Sequence, residues 1–184
     1  RVIGAIVTEI YNRDMEIENF VPRDYFKIES DGEMTYSPDI VPPVVTDFDS
    51  FSAAVRKSGL VGLGGAGFPT PIKLNADNSR VDTLLVNGAE CEPYITSDTR
   101  TMLDRADEVA EGIALICKFL EIDKTIIGIE KNKPECISSM RKATEHMSGV
   151  RVMPLPSIYP QGGEKVLAYH ATGRTVPQGK LPLD

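Results

Sequence analysis

Three segments of the sequence carry residues whose types and spacing could bind a charged or aromatic ligand. The first is the run 59–70, which contains Gly62, Gly64, Gly65, Ala66, Gly67 and Phe68 and is followed by Lys73. Glycines let the backbone approach a ligand closely and direct several N–H groups at an anion, and Lys73 adds a local positive charge. The run predicts a phosphate- or cofactor-binding loop, although the same composition fits a tight connection between two elements.

The spacing Gly62-x-Gly64-x-x-Gly67 formally matches the dinucleotide-binding fingerprint. That fingerprint requires a strand before the glycines, so that the pyrophosphate lies on the helix that follows them. Here the segment before the glycines, about 48–57, is predicted to be a helix. The context therefore argues against an ordinary Rossmann dinucleotide loop.

The second segment follows a predicted buried strand, 81–86, and contains Asn87, Glu90 and Glu92. In an open parallel sheet, ligands bind beyond the carboxyl ends of the strands. An amide and two carboxylates at that position could hold sugar hydroxyls or the edge of a ring. A solvated loop without function is the alternative.

The third segment, Tyr159 to Glu164, lies at the predicted start of the last helix. Its glycine pair, Gly162 and Gly163, would expose unpaired N–H donors at the positive end of the helix dipole. These donors suit an anion. The same residues also fit a simple glycine-rich helix entry with Glu164 as a favourable first-turn acid.

Composition and spacing exclude several classes of function. The net charge of −7 argues against nucleic-acid binding, because phosphate contacts need a basic surface. No two of the three cysteines, Cys91, Cys117 and Cys136, lie within three residues of each other, so neither a metal site nor a cluster is predicted. His146 and His170 lack partners at ligand spacing, and no catalytic triad is apparent. No apolar run approaches the roughly 20 residues that span a bilayer, so no membrane insertion is expected.

The order of elements predicts an α/β fold with a Rossmann-like parallel sheet. Strands are predicted at 81–86, 125–129 and 150–153. Helices are predicted at 48–57, from Ser97 to Leu120, from an Asn132 cap to Gly149, and at 163–172. We expect residues 1–45 to form an N-terminal β segment, with an Asp31-Gly32 hairpin turn and a proline-rich connector, and residues 46–184 to form the α/β domain.

The three segments together resemble the cofactor motifs of the NADH-binding flavoprotein subunit of respiratory complex I. Two of these motifs are closer still in sequence to C subunits of the Rnf electron-transport complex. They are Asn-Gly-Ala-Glu-Cys-Glu-Pro-Tyr and Tyr-Pro-Gln-Gly-Gly-Glu-Lys. The resemblance implies a flavin mononucleotide (FMN) site formed by Gly64, Lys73, Asn87, Glu90 and Gly162. It implies NADH contacts from Gly65, Ala66, Phe68, Glu92, Tyr159 and Glu164. Gly62 and Gly67 belong to the same cofactor loop, and no residue is expected to act as a catalytic acid or base.

The resemblance also implies an activity and a setting. The parent protein would take hydride from NADH onto FMN and pass single electrons to 4Fe–4S clusters held beyond Asp184, so this chain alone is expected to be inactive. Its partners would be other subunits of a redox complex in the cytoplasm, at the inner face of the cell membrane. A related subunit serving cobalamin or proline reduction is an alternative.

Departures from the family pattern keep a third function open. The family has an arginine and an aromatic residue where this chain has Leu63 and Ala76. It has an aspartate and a glutamate where this chain has Ala89 and Gly163. A docking scaffold that no longer holds flavin would tolerate such changes.

Overall fold

The computed structural model describes residues 43–62, 67–75, 81–180 and residue 182. Internal contacts divide the chain into a unit Arg1–Pro43 and a unit Val44–Asp184, and all described elements lie in the second. The predicted N-terminal strands and the Asp31-Gly32 hairpin fall outside the described residues. The division into 1–45 and 46–184 stays a prediction.

Three parallel strands form the sheet: β1 (Leu84–Asn87), β2 (Thr125–Glu130) and β3 (Val150–Leu155), in the order β1-β2-β3. Leu84 pairs with Thr125, which pairs with Val150, so the three strands start in register. The predicted α/β class with a parallel sheet is confirmed. The first strand begins three residues later than predicted and ends at Asn87, which places this site candidate at the strand's carboxyl terminus.

In the part of the chain that the structure describes, six helices surround the strands. They are α1 (Phe48–Lys57), α2 (Thr70–Leu74), α3 (Ser97–Asp104), α4 (Ala106–Leu120), α5 (Pro134–Ala143) and α6 (Glu164–Thr172). The predicted bounds of α1 are confirmed, and Asp47 and Ser50 form a capping box at its start. The predicted end of α6 is also confirmed, with Gly173 at φ 75°. The short helix α2 had no clear signal, since it is a single turn after a glycine-rich loop.

The prediction of one helix from Ser97 to Leu120 is wrong. The backbone breaks at Arg105, with φ −133° and ψ 33°, and divides the segment into α3 and α4. Met102 of α3 and Ile113 of α4 both pack in one core cluster with Met140 of α5. The break therefore lets both halves bury their apolar stripes against α5, which outweighs the local preference for a continuous helix.

The predicted boundaries of α5 are also wrong. Asn132 does not cap the helix; its N–H instead donates to Ser157 Oγ at 3.3 Å, and the N-cap position is Lys133. The helix ends at Ala143, six residues before Gly149. Gly149 has φ 79° and turns the chain into β3, where an added Cβ would lie 1.9 Å from the Asp123 carbonyl oxygen.

Alternation along β2 separates two faces of the sheet. Ile127 and Ile129 belong to the cluster that α3, α4 and α5 cover. Gly128 faces the other way, where a Cβ would lie 2.7 Å from carbons of both Leu155 and Leu167, the latter on α6. The domain is thus a three-layer arrangement with α6 alone on one face of the described sheet. All three strands point their carboxyl ends at the same edge, where the segments that follow them meet.

Candidate functional site

The three candidate segments converge at the carboxyl edge of the sheet. The Asn87 side-chain N–H donates to the Gly162 carbonyl at 2.8 Å, which joins the segment after β1 to the segment after β3. The Lys73 ammonium lies 3.2 Å from Glu164 Oε1, which joins α2 to the first turn of α6. Residues far apart in sequence therefore lie together at this edge of the sheet, and the region that these four residues border is called the cleft below.

The glycine-rich segment forms a loop closed at its base by backbone hydrogen bonds. Gly62 N–H donates to Phe68 O at 2.8 Å, and Thr70 N–H donates to Leu60 O at 3.1 Å. Gly67 has φ 58°, a left-handed conformation that favours glycine. Gly64, Gly65 and Ala66 lie outside the described residues, so their predicted contacts stay predictions.

Lys73 supplies positive charge at the mouth of the cleft. Its ammonium lies 5.6 Å from the centroid of the Phe68 ring, and its side chain keeps 53% of its surface exposed despite the ion pair with Glu164. Phe68 is exposed as well. An exposed cation beside an exposed aromatic ring can bind an anion attached to a flat group.

Asn87 and Gly162 hold the two neighbouring loops together. The Asn87 carbonyl oxygen accepts from Ala89 N–H at 3.2 Å, so both ends of this side chain bind backbone. Gly162 N–H donates to Cys91 Sγ at 2.8 Å. A Cβ at Gly162 would lie 2.8 Å from Cys91 Sγ and 3.1 Å from the Ala89 carbonyl oxygen. Close contact between the loops therefore requires glycine at position 162.

The Glu90 carboxylate is enclosed within the protein, with 3% of its side chain exposed. It accepts hydrogen bonds from Asp98 N–H at 2.9 Å, Thr99 Oγ at 2.7 Å and Lys133 Nζ at 3.0 Å. Burial opposes its ionisation, but these three bonds outweigh burial and hold the pKa of Glu90 below its ordinary value. Glu90 thus caps α3 in place of Thr96, which makes no side-chain cap.

Glu130 and Lys133 complete the hydrogen-bonded cluster around Glu90, and neither was a candidate from sequence. Lys133 Nζ also lies 3.3 Å from Glu130 Oε2, and the same Glu130 oxygen accepts from Glu90 N–H at 3.2 Å. Burial would lower the pKa of Lys133, yet its contacts with Glu90 and Glu130 raise it overall. The available signal was the spacing Glu130-x-x-Lys133 directly after a buried strand, at the same sheet edge as Asn87.

The remaining candidates lie on the surface of the cleft region. Tyr159 is 84% exposed, and Glu92 and Glu164 are exposed too. Between them Gln161 is fully buried, with Oε1 2.9 Å from His170 Nδ1 and with Nε2 lacking a hydrogen-bond partner. Within the described ranges, no cluster of three or more His, Cys, Asp or Glu side chains could hold a metal ion.

Comparison with known proteins identifies the family. Residues 55–184 match the Nuo51 FMN-binding domain, which covers most of the chain and all three segments. The chain belongs to this FMN-binding domain family. The predicted resemblance to complex I flavoproteins and to Rnf C subunits is therefore confirmed.

Relatives of this FMN-binding domain include proteins of ion-translocating complexes. The chain is 49% identical over 131 residues to the C subunit of the proton-translocating ferredoxin:NAD(+) oxidoreductase complex of Clostridium ljungdahlii, covering 71% of this chain and 28% of that protein. It is 44% identical over 161 residues to the C subunit of the Na(+)-translocating ferredoxin:NAD(+) oxidoreductase complex of Acetobacterium woodii, covering 85% and 36%. The chain thus spans 28% of the first relative and 36% of the second.

A solved structure supports the fold. A chain of the NAD+-reducing NiFe-hydrogenase in the H2-reduced state aligns with a TM-score of 0.59 at 22% identity, covering 70% of this chain and 25% of that chain. This likeness extends to the parallel sheet and its helices. Among the described helices of the FMN-binding domain, none has the length and apolar character needed to cross a bilayer.

Proposed function

We propose that the chain binds FMN in the cleft at the carboxyl edge of its sheet. In the whole protein, this site would serve hydride transfer from NADH and single-electron transfer to iron–sulfur clusters. The observation that carries the proposal is the convergence of three motif segments, joined by the Asn87–Gly162 and Lys73–Glu164 contacts, in a chain of the FMN-binding family.

The residues present fit the chemistry of FMN, which combines a phosphate with a flat aromatic ring. Lys73 and the start of α6 provide the anion site. The first hydrogen bond of α6 runs from Leu167 N–H to Gly163 O, and no described side chain caps the helix. The N–H groups of residues 164–166 therefore have no acceptor within the helix. Phe68 and Tyr159 provide exposed aromatic surface beside this anion site, which suits the rings of the NADH that must lie against the flavin.

We assign the contacts as the family resemblance implies. Flavin contacts belong to Gly64, Lys73, Asn87, Gly162 and the backbone at Glu90, whose enclosed carboxylate binds Lys133 and the start of α3. NADH contacts belong to Gly65, Ala66, Phe68, Glu92, Tyr159 and Glu164. Bound FMN would supply the conversion of a two-electron donor into one-electron steps. The protein's own part is to fix the loops and orient the two rings, because hydride transfer depends on positioning more than on an acid or base.

The relatives' names support a place in a larger assembly. Both bacterial relatives are named as C subunits of ferredoxin:NAD(+) oxidoreductase complexes. We infer that the protein containing this chain docks with other subunits of such a complex, in the cytoplasm at the inner face of the membrane. The clusters would lie in parts of the protein beyond this chain.

Titration of FMN, followed by quenching of flavin fluorescence, tests the proposal. It should be made with this chain and with the full-length gene product. We expect Lys73→Ala to weaken binding by about tenfold, since loss of an ion-pair partner for phosphate costs roughly 1.4 kcal/mol. Lys142→Ala is the control, because Lys142 is an exposed lysine in the last turn of α5, at the opposite edge of the sheet.

Two outcomes would contradict the proposal in different ways. Absence of FMN binding by the folded full-length protein would exclude the flavoprotein function and favour the docking scaffold. Binding that Lys73→Ala leaves unchanged would keep the function and remove Lys73 from the phosphate site.

A further inference from the structure

Beneath the loop 88–91, two carboxylates and one ammonium form a buried cluster that the proposed electron transfer does not itself use. The side chains of Glu90, Glu130 and Lys133 are 3%, 9% and 17% exposed. Lys133 Nζ contacts an oxygen of each carboxylate, at 3.0 Å for Glu90 and 3.3 Å for Glu130. The ammonium is thus the opposite charge that lies against both acids.

Both carboxylates fasten the same loop. Glu130 accepts the backbone N–H of Glu90, and the Glu90 side chain accepts the N–H of Asp98 and the hydroxyl of Thr99 at the start of α3. Residues 88–91 are thereby tied to the end of β2 and to α3. On its other side, the same loop contacts Gly162 through Cys91.

We propose that Lys133 is a positioning residue for the cofactor loop: its ammonium pairs with both Glu90 and Glu130 and so fixes residues 88–91 at the edge of the cleft. The inference rests on the proposed function only in taking FMN as the ligand. Lys133 touches no cofactor in this scheme. It acts through Glu90 and Glu130.

Removal of the ammonium has a specific electrostatic consequence. In Lys133→Met, two buried carboxylates would share one site without a cation, which favours the protonated form of the pair. At high pH the two anions repel and displace the loop. At lower pH one acid of the pair holds a proton and hydrogen-bonds the other, which restores the loop.

The acidic groups around the cluster favour the same direction, and they outnumber the neighbouring cation. Asp98 on α3, Glu92 in the loop and Glu135 on α5 add negative charge, and Lys131 is the neighbouring cation on the segment after β2. Partial burial and the charge of Glu90 already raise the pKa of Asp98. Burial raises the pKa of the Cys136 thiol on α5, while Lys133 opposes that rise. The nearby acids therefore add to the repulsion between Glu90 and Glu130 that the loss of Lys133 would cause.

The experiment compares wild type, Lys133→Met, Lys133→Arg and Lys131→Met in the full-length protein. FMN affinity is measured from pH 5.5 to 8.5, and amide hydrogen exchange of residues 88–91 and 97–99 is measured without ligand. For Lys133→Met we expect affinity about tenfold below wild type at pH 8, recovery toward wild type at pH 5.5, and exchange accelerated at high pH. Lys133→Arg restores the charge and should restore both readouts, and exposed Lys131 serves as a matched control.

The two readouts separate this inference from the proposed function. If wild type binds no FMN, the flavin function fails, and the exchange data still decide whether Lys133 fixes the loop. The inference itself is overturned if Lys133→Met leaves loop exchange unchanged at pH 8. It is also overturned if the loss of affinity is the same at every pH or persists in full in Lys133→Arg, since a packing defect would behave in that way.

Discussion

Gly162 lies where the loop after β1 touches the loop before α6. We predict that Gly162→Ala lowers the free energy of unfolding by about 1–3 kcal/mol, because its Cβ would lie 2.8 Å from Cys91 Sγ and 3.1 Å from a carbonyl oxygen. It should also weaken FMN binding. Urea denaturation and flavin titration measure the two effects.

A double change distinguishes contact from conformation at this position. If the clash with Cys91 dominates, Cys91→Ala should recover part of the stability lost in Gly162→Ala, since it removes the sulfur. Equal stability of Gly162→Ala and wild type would mean that the two loops separate at no cost, which contradicts the close contact.

At the scale of single residues, sequence could identify the candidates but not the partners that hold them. Glycine spacing and a following lysine marked Lys73, and Asn87 stood out at the end of a strand. Nothing in the sequence paired Lys73 with Glu164, which lies 91 residues away. The role of Lys133 was only partly visible, since its spacing from Glu130 can be read from the sequence but its contact with Glu90, 43 positions away, cannot.

Helix α4 contains one residue that weakens it without a packing reason. Gly112 lies in the helix interior, and an added Cβ would meet nothing within 4 Å. We predict that Gly112→Ala raises the free energy of unfolding by about 0.5–1 kcal/mol, because alanine loses less backbone entropy in a helix. Thermal unfolding followed by circular dichroism measures the change. If Gly112→Ala were less stable than wild type, the prediction would be wrong, because the added methyl group would then clash with a neighbouring atom.

Elements were predicted best where local signals agreed with packing. The capping box at Asp47 and the left-handed Gly173 are local, so the start of α1 and the end of α6 followed from sequence. The break at Arg105 did not, because its cause is the shared contact of α3 and α4 with α5. The apolar periodicity from Ser97 to Leu120 predicts one continuous helix, because periodicity contains no information about how the segment packs against α5.

Over the whole domain, the buried Glu90–Lys133 pair links stability to pH. The pKa of Glu90 is lowered by folding, so its contribution is present above the unfolded pKa of about 4.3 and is lost as pH falls through the folded pKa. The pKa of Lys133 is raised, so its contribution is lost only as pH rises through the folded pKa, above about 10.4. Between about pH 4.3 and pH 10.4, the contribution of the Glu90–Lys133 pair to the free energy of unfolding is constant.

Glu90→Gln tests this dependence. We predict that the variant is less stable than wild type by roughly 1.5–3 kcal/mol at neutral pH, because a charged acceptor of three hydrogen bonds is replaced by a neutral one. The difference should narrow as pH falls below about 4, where wild type loses the same charge. Chemical denaturation at pH 3.5, 5 and 7 measures it. A difference that stays constant down to pH 3.5 would show that charge is not the cause.

The two contacts that join the cleft connect residues 75 and 91 positions apart. Contacts of such long range form late in folding, since the entropy of closing the intervening chain must be met first. A backbone cut in the exposed turn at His146 would therefore leave the glycine loop and Asn87 on one piece and Gly162 on the other. Ligand binding by the mixed pieces would then measure their reassociation, because neither piece contains a binding site of its own.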